Sequence, residues 1–205
     1  MHLLKIEQGA YPGQADPFIL KSGGRYYIYV TGHDAIYAYH SDSLLTGWQY
    51  HGPVLQVPGL HAFWAPSVIE LDGRFYMYNS MDGADVVPDP GGHEGAMHVS
   101  VADSPLGPFT VVKRILPPFS IDSHIVRNEA GLFLFYSANR YEGDRIGTCI
   151  YVDKMIDPSH RQALLCWWWS LPWMKISTGV TAIRRVSTGI PSRVRFISGK
   201  GPGSM

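Results

Sequence analysis

The feature of this 205-residue sequence that most restricts its fold is a hairpin pattern that recurs three times. The first copy runs from Ala15 to Val30 (ADPFILKSGGRYYIYV), the second from Trp64 to Tyr78 (WAPSVIELDGRFYMY) and the third from Ile121 to Tyr136 (IDSHIVRNEAGLFLFY). Each joins a short apolar strand through a Gly-containing turn to an alternating aromatic strand, which is the signature of a β-hairpin. After the first two copies a further strand leads into an Asp-Ser turn (Ile36–Trp48 and Met97–Phe109) and then into another apolar stretch, so the unit has about four strands. With Asp16, Ala65 and Asp122 as equivalent points it recurs after 49 and then 57 residues. That period belongs to propeller blades rather than solenoid turns. A β-sandwich with similar hairpins competes less well, because both elements recur in the same order.

Composition supports a folded all-β chain. Hydrophobic residues make up 45% and charged residues 17%, and aromatic residues reach 13%, the balance of a packed chain rather than a disordered one. The polar stretch from Asp82 to Gly95 holds four Gly and two Pro and reads as a long loop. It serves either substrate contact or surface decoration. Lys plus Arg and Asp plus Glu both total 17, so there is no basic excess to attract nucleic acid or an anionic membrane. Cys149 and Cys166 alone make no disulfide framework and no zinc or redox pair. The first residues lack a secretory pattern and no apolar run approaches a membrane span, so a cytoplasmic location is expected if the start is authentic.

Three landmarks in order, Ala15-Asp-Pro-Phe-Ile19, Phe63-Trp-Ala-Pro-Ser-Val68 and Ser120-Ile-Asp-Ser-His124, resemble those of glycoside hydrolase family 43. The resemblance covers roughly residues 8 to 160. It implies a five-bladed β-propeller, of which about three blades are represented, with a partial propeller domain over 1–160. It further implies hydrolysis of O-glycosidic bonds in pentose-containing glycans (β-xylosides, α-L-arabinofuranosides or arabinans) by inversion, with a carbohydrate substrate and no required cofactor or metal. Inverting glycosidases hold a base and an acid roughly 6.5–9.5 Å apart, with the attacking water between them. Carboxylates at matching positions of different blades converge on a propeller axis and provide such a pair.

By position, Asp16 matches the family's general base, and Asp122 matches the third carboxylate, which orients the acid and raises its pKa. Asp16 could instead form a turn with Pro17, and Asp122 an Asx contact with the next residues; the apolar strand following Asp16 directly leaves little turn chemistry to serve. Phe63 and Trp64 resemble the aromatic residues lining the sugar pocket, against the plain alternative of core. His33 could reach an axial pocket or be solvated in its loop, and Arg140 could bind sugar hydroxyls or cap a strand end. A non-catalytic carbohydrate-binding propeller is the alternative function, and a structural propeller for protein partners a third.

The family's general acid is a Glu of the fourth blade, and nothing here supplies it. From Gln162 to Met205 there is no Asp, Glu, Tyr or Asn, and residues 161–205 read as an aberrant basic tail. The codons of Cys166-Trp-Trp-Trp-Ser170, read one nucleotide earlier, give Leu-Val-Val and then Val if Ser170 is TCN. In the same frame Pro172-Trp-Met-Lys-Ile176 regains Asp-Glu, and Ile190-Pro-Ser-Arg-Val194 is compatible with Thr-Ile-Glu-Gly, similar to the missing acid motif. The expectation is a frameshift near residues 159–165, against a genuine basic extension that would need its own reason for three consecutive Trp.

Overall fold

A computed structural model describes residues 6–8, 13–83 and 85–162, which all fall in one compact unit, Met1–Ser170. The tail expected to be out of frame lies outside the described residues apart from Arg161 and Gln162. The described residues form strands without α-helix, and no helix among them is long and apolar enough to cross a membrane.

Three sheets follow one another along the chain. The first contains β2 (Ala15–Ser22), β3 (Arg25–Thr31), β4 (Ile36–Ser41) and β5 (Trp48–Leu55), with the short β1 (Ile6–Gln8) added parallel to the outer side of β5. The second is β6 (Leu60–Leu71), β7 (Arg74–Gly83), β8 (Ala96–Ala102) and β9 (Thr110–Arg114). The third is β10 (Ser120–Asn128), β11 (Gly131–Arg140), β12 (Gly147–Asp157) and β13 (His160–Arg161). Each blade is an antiparallel four-stranded meander, as the repeat implies, and the first strand of the middle blade, β6, contacts the first strands of both others.

The turns follow from sequence. Gly23-Gly24 (φ 54° and 82°) and Asp72-Gly73 (φ 51° and 76°) close the first two hairpins with two left-handed residues each, the geometry whose twist matches that of the flanking strands. The third hairpin lacks the pair and instead uses Asn128, whose Oδ1 accepts the Ala130 N–H at 2.8 Å.

The apolar core is stacked between blades. Tyr29, Ile36, Phe63, Met77, Met81 and Phe109 pack in one cluster, and Tyr78, Met97, Val99, Leu134, Tyr136 and Met155 in another. Successive residues of β7 point to opposite faces, so Met77 enters the first cluster and Tyr78 the second. That two-sided burial is why β7 is buried almost continuously, Tyr78 and Met77 both having no exposed surface. Tyr29 Oη donates to the Pro105 carbonyl at 2.7 Å, and Tyr78 Oη, one blade later, to the Pro158 carbonyl at 2.6 Å. The same buried hydroxyl thus ties each of the first two blades to the outer turn of the next.

Candidate active site

The first strand of every blade carries the same defect. In β2 the register steps from Ala15 opposite Thr31 to Phe18 opposite Tyr29, leaving Asp16-Pro17 against Val30. In β6 it steps from Trp64 opposite Ser80 to Ser67 opposite Tyr78, leaving Ala65-Pro66 against Asn79. In β10 it steps from Ile121 opposite Ser137 to His124 opposite Phe135, leaving Asp122-Ser123 against Tyr136. The first bulged residue is left-handed each time, with φ 48° at Asp16, 46° at Ala65 and 56° at Asp122. Non-glycine residues enter this region at a cost, Asp and Asn less than most. A β-bulge re-aims a side chain, and here it does so at equivalent points of three blades.

The re-aimed residues meet. Asp16, Pro17, Phe18, Ala65, Pro66, Asp122 and Ser123 line one open cavity of about 250 Å³. Two carboxylates 106 positions apart in the sequence thereby share a site. Asp16 is held by the Thr31 hydroxyl, which donates to its Oδ2 at 2.7 Å while accepting the Ala65 N–H at 2.9 Å. Asp122 is solvent-exposed at the cavity wall, yet the protein around its carboxyl raises its pKa, and the negative charge of Asp16 adds to the rise against a lowering hydrogen bond from Ser137.

Thr31, Ser80 and Ser137 occupy the same register position, opposite the residue that precedes each bulge. The first and last serve the carboxylates of Asp16 and Asp122. In the middle blade Ala65 stands where a carboxylate would be, and the buried Ser80 Oγ has no hydrogen-bond partner among the described residues. These hydroxyls escaped the sequence reading, although a Ser or Thr does follow each aromatic run, in Tyr29-Val-Thr31, Tyr78-Asn-Ser80 and Phe135-Tyr-Ser137.

Links between blades fix the cavity walls. Ser123 Oγ donates to the carbonyls of Tyr78 (2.9 Å) and Ala65 (3.2 Å), and Ser67 Oγ accepts the Ile125 N–H at 3.0 Å. The loop after β7 is organised by Asp89, which is only 9% exposed. Its carboxylate accepts from the Gly91 and His93 backbone N–H groups and from the side chains of Asn139 and Tyr141 in the third blade. Burial alone would raise its pKa, but these donors outweigh it and hold the carboxyl well below the usual range. The segment expected as a long loop is therefore pinned against the third blade by one buried acid.

The other expected site residues do not all reach the cavity. Phe63 is a correction: it has no exposed surface and packs with Tyr29, Ile36 and Met77 as core. Its backbone pairs with Gly32 in both directions, at 2.9 and 3.0 Å, which turns the ring inward. Trp64, next in sequence, points the other way and is 40% exposed beside the cavity residue Ala65. His33 lies outside the cavity lining, exposed, with its ring 5.9 Å from that of His61. Arg140 is also outside it: its Nε donates to the Glu142 carbonyl at 2.6 Å, the strand-end contact that was its plainer alternative. Neither Asp16 nor Asp122 belongs to the group of described residues placed to share a cation, which is His61, Asp82 and Glu94.

Residues 11–163 match the family model described as glycosyl hydrolases family 43. Among solved structures the chain is similar to a thermostable family-43 glycoside hydrolase at 30% identity and TM-score 0.56, covering 70% of this chain and 48% of that one. It is also similar to an endo-arabinase from Bacteroides thetaiotaomicron at 26% identity and TM-score 0.59, covering 72% and 52%. A β-xylosidase/α-arabinofuranosidase from a compost microbial metagenome, solved with xylotriose, shares the fold at 18% identity and TM-score 0.58, covering 72% and 56%. The chain thus spans about half the length of these structures. No curated protein sequence matches it.

Proposed function

The chain belongs to glycosyl hydrolases family 43, and on that premise we propose that it represents the base-bearing blades of an inverting glycosidase acting on β-xylosides or α-L-arabinofuranosides. The observation that carries this reading is the convergence of Asp16 and Asp122, set on equivalent bulges two blades apart, in a single cavity. Asp16, oriented by Thr31, takes a proton from water as the water oxygen attacks the anomeric carbon. The glycosidic C–O bond breaks on the opposite face, and the leaving oxygen takes a proton from a carboxylic acid. Asp122 repels the ionised form of that acid and keeps it protonated at working pH. Trp64 offers an exposed aromatic face beside the cavity for the apolar side of a pentose ring.

The acid itself is a Glu from beyond the three blades. The last Glu of this sequence is Glu142, and Asp16 and Asp122 are the two carboxylates lining the cavity. This favours a second reading for the 205-residue chain by itself, that of a carbohydrate-binding propeller fragment without turnover. A frameshift near residues 159–165 accounts for the lost Glu under the first reading. The test is 1H NMR of the first-formed anomer from an aryl glycoside, using a version whose tail is restored to the alternative frame. Inverted product, abolished by Asp16→Ala, supports the mechanism; retained configuration, or unchanged turnover in Asp16→Ala, overturns it.

A further inference from the structure

Outside the carboxylate cavity, the start of β6, the end of β7 and the loop before β8 bring together three side chains that neither the family match nor the mechanism uses. His61 and Asp82 are cross-strand partners in β6 and β7. Glu94 comes from the loop that Asp89 pins. One ligand atom from each lies within 4.8 Å of the others. The chain reaches this arrangement through a second bulge in β6, where Ala62 is left-handed at φ 53° and the register steps from His61 to Trp64. Gly95, next in the loop, lies beside it: a Cβ there would be in ordinary contact with Asp82 Oδ1, at 3.6 Å.

A second observation points to a missing partner. Asp82 Oδ1 is shut off from solvent and has no hydrogen-bond partner among the described residues. Buried oxygens without partners are rare in native proteins and unfavourable. Two carboxylates in close proximity add repulsion: burial first, and then the charge of Glu94, raise the pKa of Asp82, partly offset by His61. A cation among the three would satisfy the orphaned oxygen and turn that repulsion into attraction.

We propose that His61, Asp82 and Glu94 form a binding site for a divalent transition cation of the zinc class. An imidazole nitrogen with two carboxylate oxygens is a borderline-metal donor set, whereas calcium takes 6–8 oxygen ligands. Three protein ligands leave a position open for water. Zinc–ligand bonds of about 2.0–2.2 Å at tetrahedral angles put two ligands about 3.3–3.6 Å apart, so binding needs up to about 1.5 Å of closure from the spacing seen. His61 and Glu94 are exposed and free to supply that closure. The site lies on the strand that carries Trp64, three residues upstream, but contains neither Asp16 nor Asp122, so it stands or falls apart from the glycosidase reading.

The test is calorimetric titration of the full 205-residue chain with Zn²⁺ and separately with Ca²⁺ at neutral pH, repeated on His61→Ala, Glu94→Gln and the control His160→Ala. The expected result is one saturable Zn²⁺ site, weakened at least about tenfold by the first two variants and unchanged in the control, with unaltered far-ultraviolet circular dichroism throughout. Glu94→Gln keeps the shape of an exposed loop residue and so reports on ligation even if His61→Ala disturbs β6. Absence of saturable Zn²⁺ binding, affinity in His61→Ala and Glu94→Gln unchanged from the parent, loss in His160→Ala instead, or Ca²⁺ binding in preference to Zn²⁺ would overturn the proposal.

Discussion

At the scale of single residues, Asp122 carries a cost that its neighbours create. Burial and the charge of Asp16 raise its pKa in the folded chain above the unfolded value of about 3.9. A carboxyl with a raised folded pKa favours folding fully below the unfolded value, and that contribution is lost as pH rises through the folded value. Ionised Asp122 therefore opposes folding at neutral pH. Asp122→Asn is expected to melt higher than the parent at pH 7 and at the same temperature at pH 3, while losing any hydrolysis in the tail-restored form. Thermal melts at the two pH values check this, and an equal or lower melting temperature at pH 7 would contradict it. Residue identity also explains one misreading. Phe63 and Trp64 are adjacent and both aromatic, and no sequence pattern says which ring turns inward; the backbone pairing of Phe63 with Gly32 settles it.

At the scale of the element, the repeated bulge does the positioning, and it was the part least legible in the sequence. The hairpins themselves were readable because aromatic alternation and Gly-Gly or Asp-Gly turns are local signals. The equivalence of Asp16, Ala65 and Asp122 followed from the repeat, but nothing local announces that Ala65 is left-handed, since alanine has no preference for that region. The middle blade makes the geometry testable because Ala65 lacks the polar side chain of its counterparts. Ala65→Gly is expected to be neutral or to stabilise by up to about 1 kcal/mol through release of backbone strain, whereas Ala65→Val should destabilise by about 2 kcal/mol. Urea denaturation checks both, and a Val variant as stable as the parent would show that the left-handed bulge is not required. The group His61, Asp82 and Glu94 was hidden for a different reason. Its members come from two strands and a loop, the first and last 33 positions apart, a spacing that matches no metal-binding motif.

At the scale of the molecule, three blades of a five-bladed family leave an apolar side on the third. Phe135, Ile150 and Ile156 are 40%, 63% and 72% exposed on β11 and β12, and exposed apolar surface of this kind marks an interface. A following blade is the natural cover, because the first-to-second and second-to-third junctions both bury such side chains. The repeat therefore made the number of blades and the meeting of Asp16 and Asp122 in one cavity legible, whereas the acid of the proposed mechanism comes from outside these blades. The most direct measurement is hydrolysis of aryl β-xyloside and aryl α-L-arabinofuranoside by the 205-residue chain, by the version with the tail restored to the alternative frame, and by that version carrying Asp16→Ala. The account predicts turnover only in the restored chain with Asp16 intact. Turnover in the 205-residue chain itself, or equal turnover with and without Asp16, would contradict it.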